Sequence, residues 1–142
     1  MLALTSISMK IHAADRRIGR LLDRKWRLER VIGEGGTSTV YAATHRDGRQ
    51  AAVKIIRSTL ADDPAVVELF LTEGYLVSAI EHPGVVKVLD DGVTDDGCAY
   101  LVLELLVGQT LEELRETRGG RIPLDEMMPI ADAMIATLVA VH

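Results

Sequence analysis

The chain lacks what several classes of protein require. It contains a single cysteine, Cys98, so an internal disulfide framework cannot form and a reducing compartment fits. Its four histidines are scattered without the spacing of metal ligands, which leaves no metal site to predict. No uncharged apolar stretch approaches the roughly 20 residues of a membrane helix. The apolar start MLALTSISMK has no basic residues ahead of it, unlike a secretion signal. We therefore expect a cytoplasmic chain without a membrane segment.

An excess of basic residues is also missing. The net charge of −5 argues against nucleic acid or an anionic membrane as the main partner, because both select for basic surfaces. The 142 residues, 48% hydrophobic and 26% charged, fit one globular domain, or one domain and a piece of another.

The order of predicted elements gives an α+β fold. Residues 1–25 have mixed composition, so we interpret them as a mobile or lightly packed N-terminal extension. The strand period and β-branched runs predict a five-stranded antiparallel sheet, with strands at 26–32, 39–44, 50–56, 85–89 and 99–105. Asp47-Gly48 and Asp95-Asp96-Gly97 predict tight turns between strands, and the almost wholly apolar run at 99–105 predicts a central, buried strand. Asp63 and Pro64 predict the start of the main helix, which runs to about Ile80. Its face with Phe70, Glu73, Val77 and Ile80 is expected to pack on the sheet.

The last part of the chain predicts helices beyond the sheet. Residues 110–116 have the pattern of a short helix, and a second helix begins near residue 125 or 128. This last helix carries an apolar stripe made of Ile130, Met134, Leu138 and Val141. Such a stripe needs a partner surface, so we infer that the natural fold continues past His142. We divide the chain into residues 1–25, a sheet-bearing unit at 26–107 and a helical segment at 108–142.

The turn at residues 33–40, GEGGTSTV, is the first chemical motif. Glycines allow backbone N–H groups to approach the phosphates of a nucleotide closely. A dinucleotide fold requires a helix after the glycines, whereas residues 39–44 have the composition of a strand, and a P-loop requires a Gly-Lys-Ser/Thr end that is absent. Two interpretations remain: a hairpin that covers phosphates, and a plain hairpin turn.

Lys54 and Glu73 form the second motif. Lys54 ends the polar face of the strand AAVKI, and Glu73 follows on the main helix. Each by itself is typical of a solvated surface charge. Both lie on faces that are otherwise apolar, where a half-buried charge is costly unless it is paired. A lysine held by a carboxylate can present its ammonium group to phosphates.

Five segments in this order resemble the small lobe of a bacterial serine/threonine protein kinase: GEGGTSTVY, AAVK, FLTEG, EHPGVVKVLD and YLVLELLVGQTLEEL. The resemblance covers about residues 26–142. It implies catalytic roles for Lys54, which contacts the α- and β-phosphates of ATP, and for Glu73, which pairs with it. The other implied ATP-binding residues are those of the phosphate-covering loop, Gly33, Glu34, Gly35 and Gly36, the adenine-sandwiching Val40 and Ala52, the gatekeeper Leu103, the backbone of Glu104 and Leu106, and the ribose-contacting Thr110.

The sequence departs from the family pattern at three positions. Ser38 replaces the third loop glycine and should stiffen the loop tip. Gly74 follows Glu73 within the helix, at a cost of roughly 1 kcal/mol against alanine, which indicates either close packing or a mobile helix. Gly84 replaces the usual asparagine after His-Pro, a change we expect to be neutral.

The resemblance also implies residues that do not occur before His142. These are the catalytic loop with its aspartate base and asparagine, and the aspartate that holds Mg²⁺. We therefore expect the magnesium ligands to lie outside these residues, and the 142-residue chain by itself to be inactive.

The implied partners are ATP and a protein substrate with a Ser or Thr hydroxyl, and dimerisation stays open. Two rival functions remain. One is a pseudokinase or nucleotide-sensing scaffold, which keeps this lobe and signals by binding. The other is an interaction module that uses the apolar stripe of the last helix.

Overall fold

The computed structural model describes residues 16–142. Six strands and three helices follow one another in this part of the chain, and a short 3-10 turn spans Ser58–Leu60. The strands are β1 Leu21–Leu22, β2 Trp26–Glu34, β3 Ser38–His45, β4 Gln50–Ile56, β5 Val88–Val93 and β6 Ala99–Glu104. The helices are α1 Pro64–Ser78, α2 Leu111–Thr117 and α3 Leu124–Val141. The predicted α+β class is confirmed, but the sheet has six strands in the order β1-β2-β3-β4-β6-β5 rather than five.

The pairing register divides the sheet into two faces. All neighbouring strands are antiparallel, and Tyr41 lies opposite Val53, which lies opposite Val102. These three side chains are 0–1% exposed. Because side chains alternate between the faces of a sheet, the row defines a fully buried interior face, and the residues between them define an outer face.

The sheet curls so that its two ends approach each other. The indole Nε1 of Trp26 on β2 donates a hydrogen bond to Asp90 on β5 at 3.4 Å. The ammonium group of Lys25 lies 3.6 Å from the same carboxylate. The curl encloses the interior face, which explains why Leu28, at 0% exposure, is inaccessible to solvent.

Helix α1 packs against the outer face. The Asp63 carboxylate caps the helix by accepting a hydrogen bond from the Ala65 amide at 3.0 Å, as its sequence signature predicts. Phe70 is the buried residue of the helix, and the Ser78 hydroxyl accepts a hydrogen bond from the Val88 amide at 2.8 Å. A Cβ atom built on Gly74 would lie 2.4 Å from Leu101 Cδ1. Gly74 therefore marks close packing, one of the two predicted alternatives.

The sheet-facing side predicted from the sequence for this helix is wrong, since the observed contact face is rotated from the predicted one by about one residue. Glu73 is exposed and Val77 is 44% exposed. The face in contact runs through Phe70, Gly74 and Ser78, since the missing side chain of Gly74 lets the backbone come closest to the sheet there.

Strand β5 begins at Val88, three residues later than predicted. The apolar character of Val85 suggested a strand, and this side chain is indeed buried at 5% exposure. Its amide, however, donates to the carbonyl of His82 and so closes a turn. Burial of Val85 is thus achieved outside the sheet.

The described part of the predicted N-terminal extension is tied to the sheet more closely than the sequence predicts. Strand β1 pairs with β2, and Leu22 is 6% exposed. Arg17 donates to Asp96 at 2.7 Å and to the Cys98 sulfur at 3.1 Å. These bonds fasten the residues before β1 to the turn between β5 and β6.

The same turn sets the ionisation of Asp96. Burial raises the pKa of this carboxyl group, but hydrogen bonds from Thr94 and Arg17 outweigh burial and hold the pKa below its usual value. The charged form of Asp96 is therefore stabilised by folding.

Helix α3 touches the sheet-bearing unit at Gly84. A Cβ atom built there would lie 2.0 Å from Thr137 Oγ1 and 3.0 Å from Thr137 Cβ, so a larger residue would force Thr137 to move, which argues against the expected neutrality of this position. The apolar stripe stays open, with Met134 53% and Leu138 63% exposed. None of the helices in residues 16–142 is both long and apolar enough to span a membrane.

Candidate functional site

The glycine-rich loop joins β2 to β3. The Gly35 amide donates to the Ser38 carbonyl at 2.9 Å and closes the loop, and Ser38, 5% exposed, is the first residue of β3. The amides of Gly36 and Thr37 donate to no acceptor within residues 16–142. Two N–H groups at the loop tip are therefore available to a ligand.

The loop glycines are not required by the packing of the chain itself. A Cβ atom on Gly33 or Gly35 would meet neighbours only at 3.8 and 3.6 Å, and one on Gly36 would meet nothing within 4 Å. None of the three has a positive φ angle. In contrast, Gly48 and Gly97 in the predicted tight turns have φ angles of 92° and 83°. The space beside the loop glycines is thus free of close contacts within the described chain.

The strand register brings four of the predicted residues to the outer face of the sheet. Val40 on β3 lies opposite Lys54 on β4, and Ala52 lies opposite Leu103 on β6. Val40, Lys54 and Leu103 are half-buried and Ala52 is 8% exposed. Since Gly33 pairs with Val40, this apolar surface begins directly at the glycine-rich loop.

Lys54 and Glu73 are not brought together. The ammonium group of Lys54 lies 5.4 Å from the centre of the Phe70 ring, within the range of a cation–π interaction. No ion pair within 4.0 Å joins Lys54 to Glu73 among the salt bridges of residues 16–142. The exposed position of Glu73 on the rotated helix accounts for this separation, and its assigned role stays a prediction.

The segment after β6 presents polar backbone groups at the end of the outer face. The Glu104 amide donates to the Lys87 carbonyl at 3.1 Å, while the Leu106 amide has no backbone acceptor within residues 16–142. Leu106 is 70% exposed, so its amide is accessible. The Thr110 hydroxyl accepts the Glu113 amide at 3.2 Å in a capping box that starts α2, which gives Thr110 a structural role independent of any ribose contact.

A cavity of about 910 Å³ opens behind the glycine-rich loop, on the side of Thr39 and Tyr41. Val40, Ala52 and Lys54 do not line it, whereas Gly35 and Gly36 of the loop and Ile56 at the end of β4 do. Arg57 lines this cavity and bonds the Gly35 carbonyl, a contact that sequence reasoning missed. No local sequence pattern predicts the contact between Arg57 and Gly35, because 22 positions separate the two residues.

Metal-binding side chains do not cluster in the described residues. Within 16–142, no group of three or more His, Cys, Asp or Glu side chains is placed to hold a metal ion. The loop, the outer face and Lys54 together suit an anionic ligand with a flat apolar part.

The arrangement of sheet, helix α1 and glycine-rich loop matches the expected small lobe, and comparison with known proteins defines the family. The model of the protein kinase domain matches residues 26–142, and the chain belongs to this family. It is 33% identical over 131 residues to the serine/threonine-protein kinase PknA of Mycobacterium tuberculosis, covering 89% of this chain and 30% of that protein. It is 32% identical over 126 residues to PrkC of Bacillus subtilis, covering 88% and 19%.

A solved structure gives the same fold. The kinase domain of M. tuberculosis PknI superposes with a TM-score of 0.67 at 21% identity, over 88% of this chain and 51% of that one. The predicted resemblance to bacterial serine/threonine kinases is therefore confirmed. The chain spans less than a third of the length of PknA and of PrkC.

Proposed function

We propose that residues 26–142 form the ATP-binding portion of a serine/threonine protein kinase. The observation that carries this proposal is the register, which aligns Val40, Ala52, Lys54 and Leu103 on one face that begins at the glycine-rich loop. Apolar residues on such a face suit the adenine ring, and a cation beside an open glycine backbone suits the triphosphate.

Each part of the site has a separate task in this proposal. The N–H groups of Gly36 and Thr37 bond phosphate oxygens, because no protein acceptor within the described residues uses them. Val40 and Ala52 contact the adenine ring, and the Leu106 amide bonds its edge. Lys54 orients the α- and β-phosphates, and ATP supplies the phosphoryl group that is transferred.

The remainder of the reaction needs residues outside 16–142. Family membership implies ATP and a divalent metal ion, and we propose Mg²⁺ as that ion. The names of PknA and PrkC support a Ser or Thr hydroxyl on a protein as the acceptor. We infer that the lobe works in the cytoplasm. The exposed apolar stripe on α3 is the surface through which two copies of the chain could dimerise.

A substitution that fills the proposed adenine position tests the proposal. Ala52→Phe fills the outer face beside Leu103, its partner on β6. In the complete kinase it should raise the KM for ATP at least about tenfold, which corresponds to a loss of roughly 1.4 kcal/mol of binding free energy. Ala65→Phe, at the exposed start of α1, is the matched control and should leave the KM unchanged. An equal KM in both variants contradicts the site.

The product tests the acceptor class separately. Phosphoamino-acid analysis of a phosphorylated protein substrate should show phosphoserine or phosphothreonine. Phosphotyrosine as the main product contradicts the serine/threonine assignment and leaves the ATP site intact.

A further inference from the structure

Arg57 reaches the glycine-rich loop from the end of β4. Its guanidinium Nε and Nη2 both donate to the Gly35 carbonyl, Nε at 2.8 Å. Its backbone amide donates to the Thr37 carbonyl at 2.9 Å. One residue therefore makes three hydrogen bonds to carbonyl groups of the loop and none to its N–H groups.

Arg57 bonds the loop from the side of the cavity, which neither Val40 nor Lys54 lines. Arg57 lines the cavity behind the loop together with Thr39 and Tyr41, whereas Val40 and Lys54 belong to the outer face. The bonds to Arg57 thus hold the Gly35 carbonyl on the cavity side. This arrangement keeps a partial negative charge away from the position of the phosphates.

The planar peptide unit links the direction of the Gly35 carbonyl to that of the Gly36 N–H. The peptide unit between Gly35 and Gly36 is trans, so the Gly35 carbonyl and the Gly36 N–H point in opposite directions. A carbonyl fixed on the cavity side directs the Gly36 N–H towards the other side. That N–H is one of the two loop amides without an acceptor in residues 16–142.

A glycine–glycine peptide needs such a restraint. Glycine populates positive and negative φ angles about equally, so a peptide flanked by two glycines can turn over at little cost. The turned-over form presents a carbonyl oxygen to the phosphates. Hydrogen bonds from a charged, planar guanidinium are stronger and more directional than those from neutral donors, which suits them to select one orientation.

We propose that Arg57 is a positioning residue that sets the orientation of the Gly35–Gly36 peptide, so that the Gly36 N–H is presented to the nucleotide phosphates. The inference rests on the proposed function for its nucleotide part. The bond to the loop itself can be tested without nucleotide.

The first test measures hydrogen exchange by NMR in the nucleotide-free 142-residue chain. Arg57→Ala removes the guanidinium bonds to the Gly35 carbonyl but keeps the backbone bond to Thr37. The Gly35 amide donates to the Ser38 carbonyl and closes the same loop, so it should exchange about tenfold faster, because the loop opens more often once the charge-assisted bonds are lost. Arg57→Lys should give an intermediate rate. Arg49→Ala is the control, because Arg49 is paired with Asp47 in the β3–β4 hairpin. Unchanged exchange in Arg57→Ala overturns the inference.

The second test measures ATP kinetics in the complete kinase. Arg57→Ala should raise the KM for ATP about tenfold with a much smaller change in kcat, since the loop still forms but is oriented correctly for less of the time. Arg57→Lys should recover part of the loss, and Arg49→Ala should match the wild type. Faster exchange with an unchanged KM refutes the positioning role while the proposed function stands. A wild-type protein without ATP-dependent activity refutes the proposed function and the nucleotide part of this inference together.

Discussion

Replacement of Lys54 by methionine should separate its functional role from any structural one. The ammonium group of Lys54 interacts with the Phe70 ring at 5.4 Å, and no ion pair with Glu73 is present to be lost. A half-exposed cation–π contact contributes about 0.5–1 kcal/mol. A methionine sulfur on the same ring contributes about 0.3–1.5 kcal/mol. The two nearly cancel, so the free energy of unfolding should change by less than about 0.5 kcal/mol, or roughly 2 °C in Tm.

Unfolding can be followed by the fluorescence of Trp26, the only tryptophan, which is 4% exposed in the folded chain. Phosphoryl transfer by the complete kinase should nevertheless be abolished in Lys54→Met, because the phosphates lose their cation. Lys87→Met, at an exposed lysine, is the matched control for both measurements. A loss of stability above about 2 kcal/mol refutes the energy estimate and makes Lys54 a structural residue. Normal phosphoryl transfer in Lys54→Met refutes its role at the phosphates.

Three further changes test the packing and the electrostatics. Gly74→Ala should lower stability by about 1 kcal/mol in urea unfolding despite its better helix propensity, since the new methyl group displaces buried Leu101; a stabilised variant contradicts the close contact. Gly84→Ala should cost about 1–3 kcal/mol, and Thr137→Ala should recover part of it; additive losses in the double variant contradict the contact with α3. Because folding lowers the pKa of Asp96, its charged form stabilises the fold above about pH 4, and this contribution is lost as the pH falls through the folded-state pKa. Asp96→Asn should therefore lower the free energy of unfolding more at pH 7 than at pH 3. Equal losses at the two pH values contradict the cause assigned to the lowered pKa.

Elements set by local patterns were predictable from the sequence. The Asp47-Gly48 dipeptide predicted a hairpin, and Gly48 has the positive φ angle that such a turn needs. The apolar run at 99–105 predicted an inner strand, and β6 lies between β4 and β5. The family resemblance implied a shared site for Val40, Ala52 and Lys54, and the register of β3 and β4 puts them on one face, because a strand fixes the side-chain direction at every second residue. Their roles at that site stay predictions.

The relation between Lys54 and Glu73 could not be predicted in the same way. It depends on how far α1 is rotated about its axis, and a single residue step turns a helix by about 100°. The rotation follows from the contact between Gly74 and Leu101, two residues on different elements. A periodic pattern gives the apolar side of a helix only within such a step, so Glu73 fell on the wrong side of the boundary.

Two other features depend on contacts between residues far apart in the sequence. Strand β1 has only two residues, too few for a periodic pattern, and it is defined by its pairing with β2. The bonds from Arg57 to Gly35 depend on the curl that brings the end of β4 to the loop. Neither arrangement has a local signal in the residues involved.

The most direct test of the central claim is an NMR titration of the 142-residue chain with MgATP, read at every assigned backbone amide. We expect weak binding, because part of the nucleotide site lies outside these residues. The largest shift changes should fall at residues 33–40, 52–54 and 103–106, along the loop and the outer face. Changes concentrated instead at Arg16 and Arg20 in the cavity behind the loop, or no change at any of these amides, would contradict the account.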